Sequence, residues 1–199
     1  MRKMRWLAVL ILWWAAGNLL AHAGPQGVEP RDATSLDAQR EKHALETLLK
    51  IAEKLMVPAV EAMPADKFGF APTDGEFKSV RTFGQMVKHL SATNHILAAA
   101  ALGEEAPAEA GDEVGPETVR TKAEILTYLK DSFAHLDKAN EAIGEANRPV
   151  NASPISPLKK GEVTRLALVV EALFHAADHY GQIVEYLRMN GVVPPASRP

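Results

Sequence analysis

Four long stretches in which apolar residues return every three to four positions, each bounded by proline- and glycine-bearing segments, constrain this chain more than any other feature. The first runs from about Ser35 to Met63, with Leu36, Leu45, Leu48, Leu49, Ala52, Leu55 and Met56 at helical spacing. Thr34 or Ser35 is placed to cap it. Pro58 is expected to kink or end it, because proline lacks an N–H and clashes one turn back. The second runs from about Thr82, an N-cap, to Leu102, with Gly103 as its stop. The third spans about Glu117 to Gly144, and the fourth about Glu162 to Asn190, with Gly191 and Pro194 just beyond. No alternating run of strand length stands out, and no internal repeat is visible. An amphipathic helix cannot bury its apolar stripe alone, so four helices of roughly 20 to 30 residues predict an all-α four-helix bundle. The three connections, roughly 13 to 18 residues each, exceed the usual helix–helix turn and so permit crossover connections.

The 199 residues suffice for one domain with a sizeable core. A net charge of −3 and the lack of a clustered Lys/Arg stripe speak against a nucleic-acid partner. The chain has no cysteine, which excludes disulfides, thiolate ligands and a cysteine nucleophile. Its first residues read as a secretory leader: Arg2, Lys3 and Arg5, then an apolar run from Trp6 to Leu20, then the small-x-small site Ala21, His22, Ala23. The run is shorter than the roughly 20 residues that span a bilayer comfortably. The expected organisation is therefore a signal peptide at 1–23, a polar spacer at 24–34 and a bundle domain at 35–195, exported and periplasmic, with no membrane attachment after cleavage. Cleavage removes three cations and no anions, so the remaining chain is more acidic.

The histidines carry the candidate chemistry. His175 and His179 are four residues apart in the fourth helix, so their side chains lie one above the other. Their line, shared with Leu168 and Tyr186, flanks the stripe formed by Val169, Leu173, Ala176, Tyr180, Ile183, Val184 and Leu187. Two imidazoles so placed present nitrogens to one point, and a divalent ion needs at least a third ligand. In the second helix, His89 flanks the stripe of Phe83, Val87, Leu90 and Leu97. His95 is turned about 240° from it, so His89 is the better third ligand. An H-x3-H pair also arises by chance. Ala176 stands where the H-E-x-x-H motif of zinc proteases has its glutamate, so no protease chemistry follows. Asp178 stands about 60 to 100° off the histidine line and can orient an imidazole, a solvated carboxylate being an equal reading, while Glu171 and Gln182 lie near the line and can face the site. Tyr180 reads as core. His43 and His135 have no evident partner and read as surface residues. The acidic segment from Glu104 to Glu117 reads as a solvated loop.

The segment FGQMVKHL (Phe83 to Leu90), the distant HAADHYGQIVEYLR (His175 to Arg188), the MPADKFGFAPT stretch before the second helix and the closing Gly191 to Pro195 together resemble the DinB-like family (DinB/YfiT-like). The likeness covers roughly residues 44 to 195. It implies an up-down-down-up four-helix bundle and a three-histidine metal site, one ligand from the second helix and two from the last, which match His89, His175 and His179. The implied cofactor is one divalent metal ion, zinc, nickel or iron. The resemblance further implies a capacity for thiol-dependent transfer or isomerisation. Export favours hydrolysis by metal-activated water instead, since small thiols are kept reduced in the cytosol. The alternatives are a non-catalytic bundle that binds a metal or small ligand, and a purely structural one. A small-molecule substrate is compatible with the first reading, and a homodimer is left open.

Overall fold

The computed structural model describes residues 33–199, apart from 74, 76, 112, 144–148, 152, 154 and 159–161. The expected leader and nearly all of the expected spacer lie outside the described residues. Four α-helices make up most of the rest: α1 (Ala33–Ala62), α2 (Phe83–Leu102), α3 (Lys122–Glu141) and α4 (Arg165–Met189). The sequence reading placed each helix correctly and erred at the ends. Helix α1 starts before Thr34 and Ser35, which lie inside it rather than capping it. It also runs through Pro58, because Ala59, Val60 and Met63 beyond the proline are fully buried and packing holds the last turn in place. Helix α3 begins five residues later than expected, at a Thr121–Glu124 capping box, in which each side chain accepts from the other's backbone N–H. Thr82 and Gln85 form the same box at the head of α2.

Two short strands, β1 (Pro149–Asn151) and β2 (Glu162–Thr164), pair antiparallel at the neck of the α3–α4 connection. Three residues are too few to leave an alternating pattern in the sequence. Val150 and Val163 face each other in this ladder and pack against the core. Thr164 then caps α4.

Cross-helix hydrogen bonds fix the topology. On α1 and α3, Lys42 pairs with Glu141, the Asn140 amide donates to the Lys42 carbonyl, and Lys130 pairs with Glu61, so these helices are antiparallel. On α2 and α3, Asn94 donates to Ser132, and His95 meets His135, so these two are parallel. On α2 and α4, Arg165 reaches the Ala101 carbonyl, and Tyr186 reaches the carbonyl of Arg81 just before α2, so these are antiparallel. The order is up-down-down-up. Because α2 and α3 are parallel, residues 103–121 must return along the length of α2. They do so in contact with it: Ala110 packs on Ala92 and Ile96, and a Cβ on Gly115 would come within 3.3 Å of the Lys88 carbonyl.

Helix α2 is the central element. The expected stripe of Phe83, Val87, Leu90 and Leu97 is buried, but so are Ser91, Ala92, Thr93, Asn94, Ala98, Ala99 and Ala101. Small residues let neighbours approach on several sides, and Ser91 satisfies its hydroxyl on the Val87 carbonyl one turn back. The core continues through Leu49, Met56 and Val60 of α1, Leu129, Phe133 and Leu136 of α3, and Leu168, Val169, Ile183 and Leu187 of α4. At the lower end, the Phe68 ring meets Phe83 edge-on at 5.1 Å between centroids, and the Gly84 N–H donates to the Phe68 carbonyl. Phe133→Ala is expected to cost about 3–5 kcal/mol through lost burial and a cavity. Thr82→Ala, which removes one cap, should cost about 1 kcal/mol. Urea unfolding followed by circular dichroism checks both.

Candidate metal centre

The buried face of α4 consists of Leu168, Val169, Ala172, Ala176, His179, Ile183, Tyr186 and Leu187. It is rotated from the expected stripe toward the histidine line, so that Leu173, Tyr180 and Val184 are only half-buried. The cause is α2, which packs against that line. The consequence is that His179 sits in the interior at 8% exposure, opposite His89 at 5%. His175 is one turn earlier, half-buried.

The three imidazoles converge through their Nε2 atoms. His175 Nε2 lies 3.2 Å from His89 Nε2 and 3.0 Å from His179 Nε2. The rings stand nearly perpendicular to one another, with centroids 4.4 to 5.1 Å apart. The opposite nitrogens are held from behind. His89 Nδ1–H donates to the Glu113 carbonyl at 2.9 Å, and the Glu113 carboxylate lies 3.7 Å away. His179 Nδ1–H donates to Gln182 Oε1 at 3.2 Å, and Gln182 Nε2 in turn donates to Asp178 Oδ2 at 3.0 Å. These partners, both acceptors on the Nδ1 side, assign the tautomers: His89 and His179 each turn a bare Nε2 lone pair inward. His175 Nδ1 is buried without a partner. Its single proton, even if placed on Nε2, can be directed at only one of the two facing nitrogens. With three neutral rings, at least one of the two close contacts is therefore left without a hydrogen bond.

The nitrogens do not escape this by taking up protons. Burial pushes the His175 pKa down to about 3, and the neighbouring imidazoles and Arg81 push the same way. Burial likewise lowers His89 and His179, against smaller opposing effects from Glu113 and Gln182. The set is neutral at pH 7, which is the state that ligates a metal. A tetrahedral ion with Zn–N bonds near 2.0 Å would hold its ligands about 3.3 Å apart, close to the observed spacing. Among the described residues, these three form a group that can hold a metal ion.

The fold and the convergence of one histidine from α2 with two from α4 agree with a comparison against family models. The DinB superfamily model matches residues 48–183, about two thirds of the chain. The chain belongs to the DinB superfamily. A search of curated proteins returned no match. The DinB match reaches into all four helices and includes every residue placed at the site.

Of the other residues singled out in the sequence, Gln182 touches His179 directly, and Asp178 reaches it only through Gln182. Glu171 lies one turn before His175 on the same helical line. Its carboxylate accepts from Ser156 Oγ at 2.7 Å, and burial raises its pKa. His95 faces α3, away from the site. His135 is not a surface residue, since its side chain is 17% exposed and bonded to His95. His43 is exposed, as read. The sequence reading missed Glu113, because a carbonyl contact from within an acidic loop has no side-chain signature. It also missed Thr93, one turn beyond His89, whose buried Oγ1 has no partner.

The depressed histidines give the metal-free protein a definite pH dependence. Their pKa values are lower in the folded chain than the unfolded value near 6.5, so the unfolded state binds more protons in between. Stability is fully present above about pH 6.5 and is lost as pH falls toward the folded values, by up to about 1.4 kcal/mol per pH unit for each group. Urea midpoints of chelator-treated protein at about pH 7.5 and about pH 5 should show this loss, and His175→Gln should make it shallower.

Proposed function

We propose that this DinB-superfamily chain binds one divalent transition-metal ion, zinc, nickel or iron, through the Nε2 atoms of His89, His175 and His179, and acts as a metal-dependent hydrolase or transferase on a small molecule. The observation that carries the reading is the inward convergence of three neutral imidazoles with two of their tautomers fixed from behind. Buried nitrogens kept that close without a proton are stabilised by a cation. Three protein ligands leave positions open, and an ion held this way supplies a Lewis acid and a bound water or thiol of lowered pKa.

The chain's own groups supply the rest. The Glu113 carbonyl and Gln182 hold two rings at fixed tautomer and orientation, and Asp178 anchors the Gln182 amide. Glu171 is the group best suited to hold a proton. Burial raises its pKa, and the Ser156 hydroxyl keeps its carboxyl oriented. The unpartnered Thr93 hydroxyl is available to a polar group of a bound ligand.

Purified protein is expected to carry about one tightly bound divalent ion per chain. His89→Ala, His175→Ala and His179→Ala should each lose most of it, while His95→Ala retains it. Elemental analysis with zinc titration checks this. Retention of metal in His89→Ala and its loss in His95→Ala would overturn the reading. Because burial depresses the ligands, release on acidification should set in below the pH of about 6.5 expected of free imidazole. Screening the loaded protein against ester and thiol substrates separates a catalyst from a bundle that only binds.

We further propose export to the periplasm with cleavage after Ala23, on the strength of the Arg2, Lys3 and Arg5 charges, the apolar run and the Ala21–Ala23 site. Among the described residues no helix is long and apolar enough to cross a membrane. N-terminal sequencing of the exported protein is expected to begin at Gly24. A start at Met1 with membrane retention would contradict it.

A further inference from the structure

A second pair of histidines lies on the opposite side of α2. His95 of α2 and His135 of the parallel helix α3 bring their Nδ1 atoms to 3.0 Å, with ring centroids 5.3 Å apart. The two rings belong to different helices, and their backbones are fixed by the buried Asn94–Ser132 hydrogen bond beside them. The His95 ring also lies against Tyr128 of α3, at 5.0 Å and a tilt of 32°. Burial lowers both histidines, His95 to about 4, so the pair is neutral at pH 7.

The surroundings are acidic. Glu104, after α2, lies 4.0 Å from His135 Nε2, and the charges of Asp131 on α3 and Glu109 on the returning connection act on His95. Lys138 of α3 is the opposing cation, and it is held 3.2 Å from Glu104. Asp131 is exposed and stands one turn before His135 on the same face. None of these carboxylates takes part in the three-histidine group.

We propose that His95 and His135 form a second, weaker site for a divalent transition-metal ion, held by the two Nδ1 atoms, with water completing the coordination. Two neutral imidazoles preset at this separation on two packed helices make a bidentate nitrogen donor, and the acidic rim favours a cation. Two nitrogens with oxygen ligands suit copper(II) best and nickel(II) or zinc(II) next. The site shares no residue with the first, so each can fail alone.

The test is titration of the full chain with Cu²⁺, followed by calorimetry and electron paramagnetic resonance. Two classes of equivalent are expected. His95→Ala and His135→Ala should each lose the weaker class and keep the tighter one. His175→Ala should do the reverse, leaving a spectrum with two nitrogen ligands. His43→Ala, which removes an exposed imidazole outside both groups, should change neither. His135→Gln keeps a hydrogen-bonding side chain at the position and guards against loss through misfolding: with unchanged helicity it should still lose the weaker class. Persistence of that class in His95→Ala, His135→Ala and His135→Gln, or its absence from the unmodified chain, would overturn the second site and leave the three-histidine reading standing. Absence of only the tighter class from the unmodified chain would do the opposite.

Discussion

Three imidazole nitrogens facing one another inside a helical bundle impose a demand that much of the surrounding structure meets. Neutral rings carry the arrangement only if their protons are kept on the far side, and here a backbone carbonyl and a glutamine amide do that for two of the three. The carbonyl comes from outside both α2 and α4, and the amide from one turn along α4. The rings also need a fixed separation, which the antiparallel packing of α2 on α4 provides by placing His89 against the His175–His179 pair. That packing in turn needs α2 to be narrow enough to be enclosed, and its run of Ser, Ala and Thr residues meets this requirement.

The order of the helices has its own electrostatic cost. Parallel α2 and α3 bring two like dipole ends together. At their C-terminal ends, Arg165 answers this: its guanidinium donates to the Ala101 carbonyl of α2 and to the Ala142 carbonyl just after α3. One cation thus satisfies carbonyls that helix ends leave without partners. Lys122, in the first turn of α3, does the same for α1, donating to the carbonyls of Glu61 and Met63. The two ends of the bundle are closed by single basic side chains at the starts of α4 and α3.

The parts legible in the sequence were those written in periodicity and spacing. The four helices follow from apolar recurrence, and the phase of one helix is enough to set His89 apart from His95. The H-x3-H pair declares itself. Partnerships that depend on which loop passes where were not legible. Glu113 acts through its carbonyl, which every residue possesses. His135 looked isolated because its partner lies 40 positions away on a helix whose parallel orientation periodicity does not reveal. The buried face of α4 was misphased by part of a turn, because polar histidines were counted against burial when α2 in fact covers them. The start of α3 was written in the sequence as Thr121 and Glu124, a capping-box pair that a start at Glu117 passes over.

The long return of residues 103–121 is more than a cost of the topology. A hairpin between α2 and α3 would have needed only a few residues and would have gone nowhere near His89. Because the chain must travel back alongside α2, it passes His89 at mid-course and leaves a carbonyl there, in a backbone that turns left-handed at Glu113, with φ 64°. Non-glycine residues adopt that conformation reluctantly, so the contact is bought with local strain. The connection and the histidine group are therefore mechanically linked: a change in the length or course of this loop is transmitted to the ring of His89 without touching any histidine. In a bundle of this order, loop evolution also reshapes the three-histidine group.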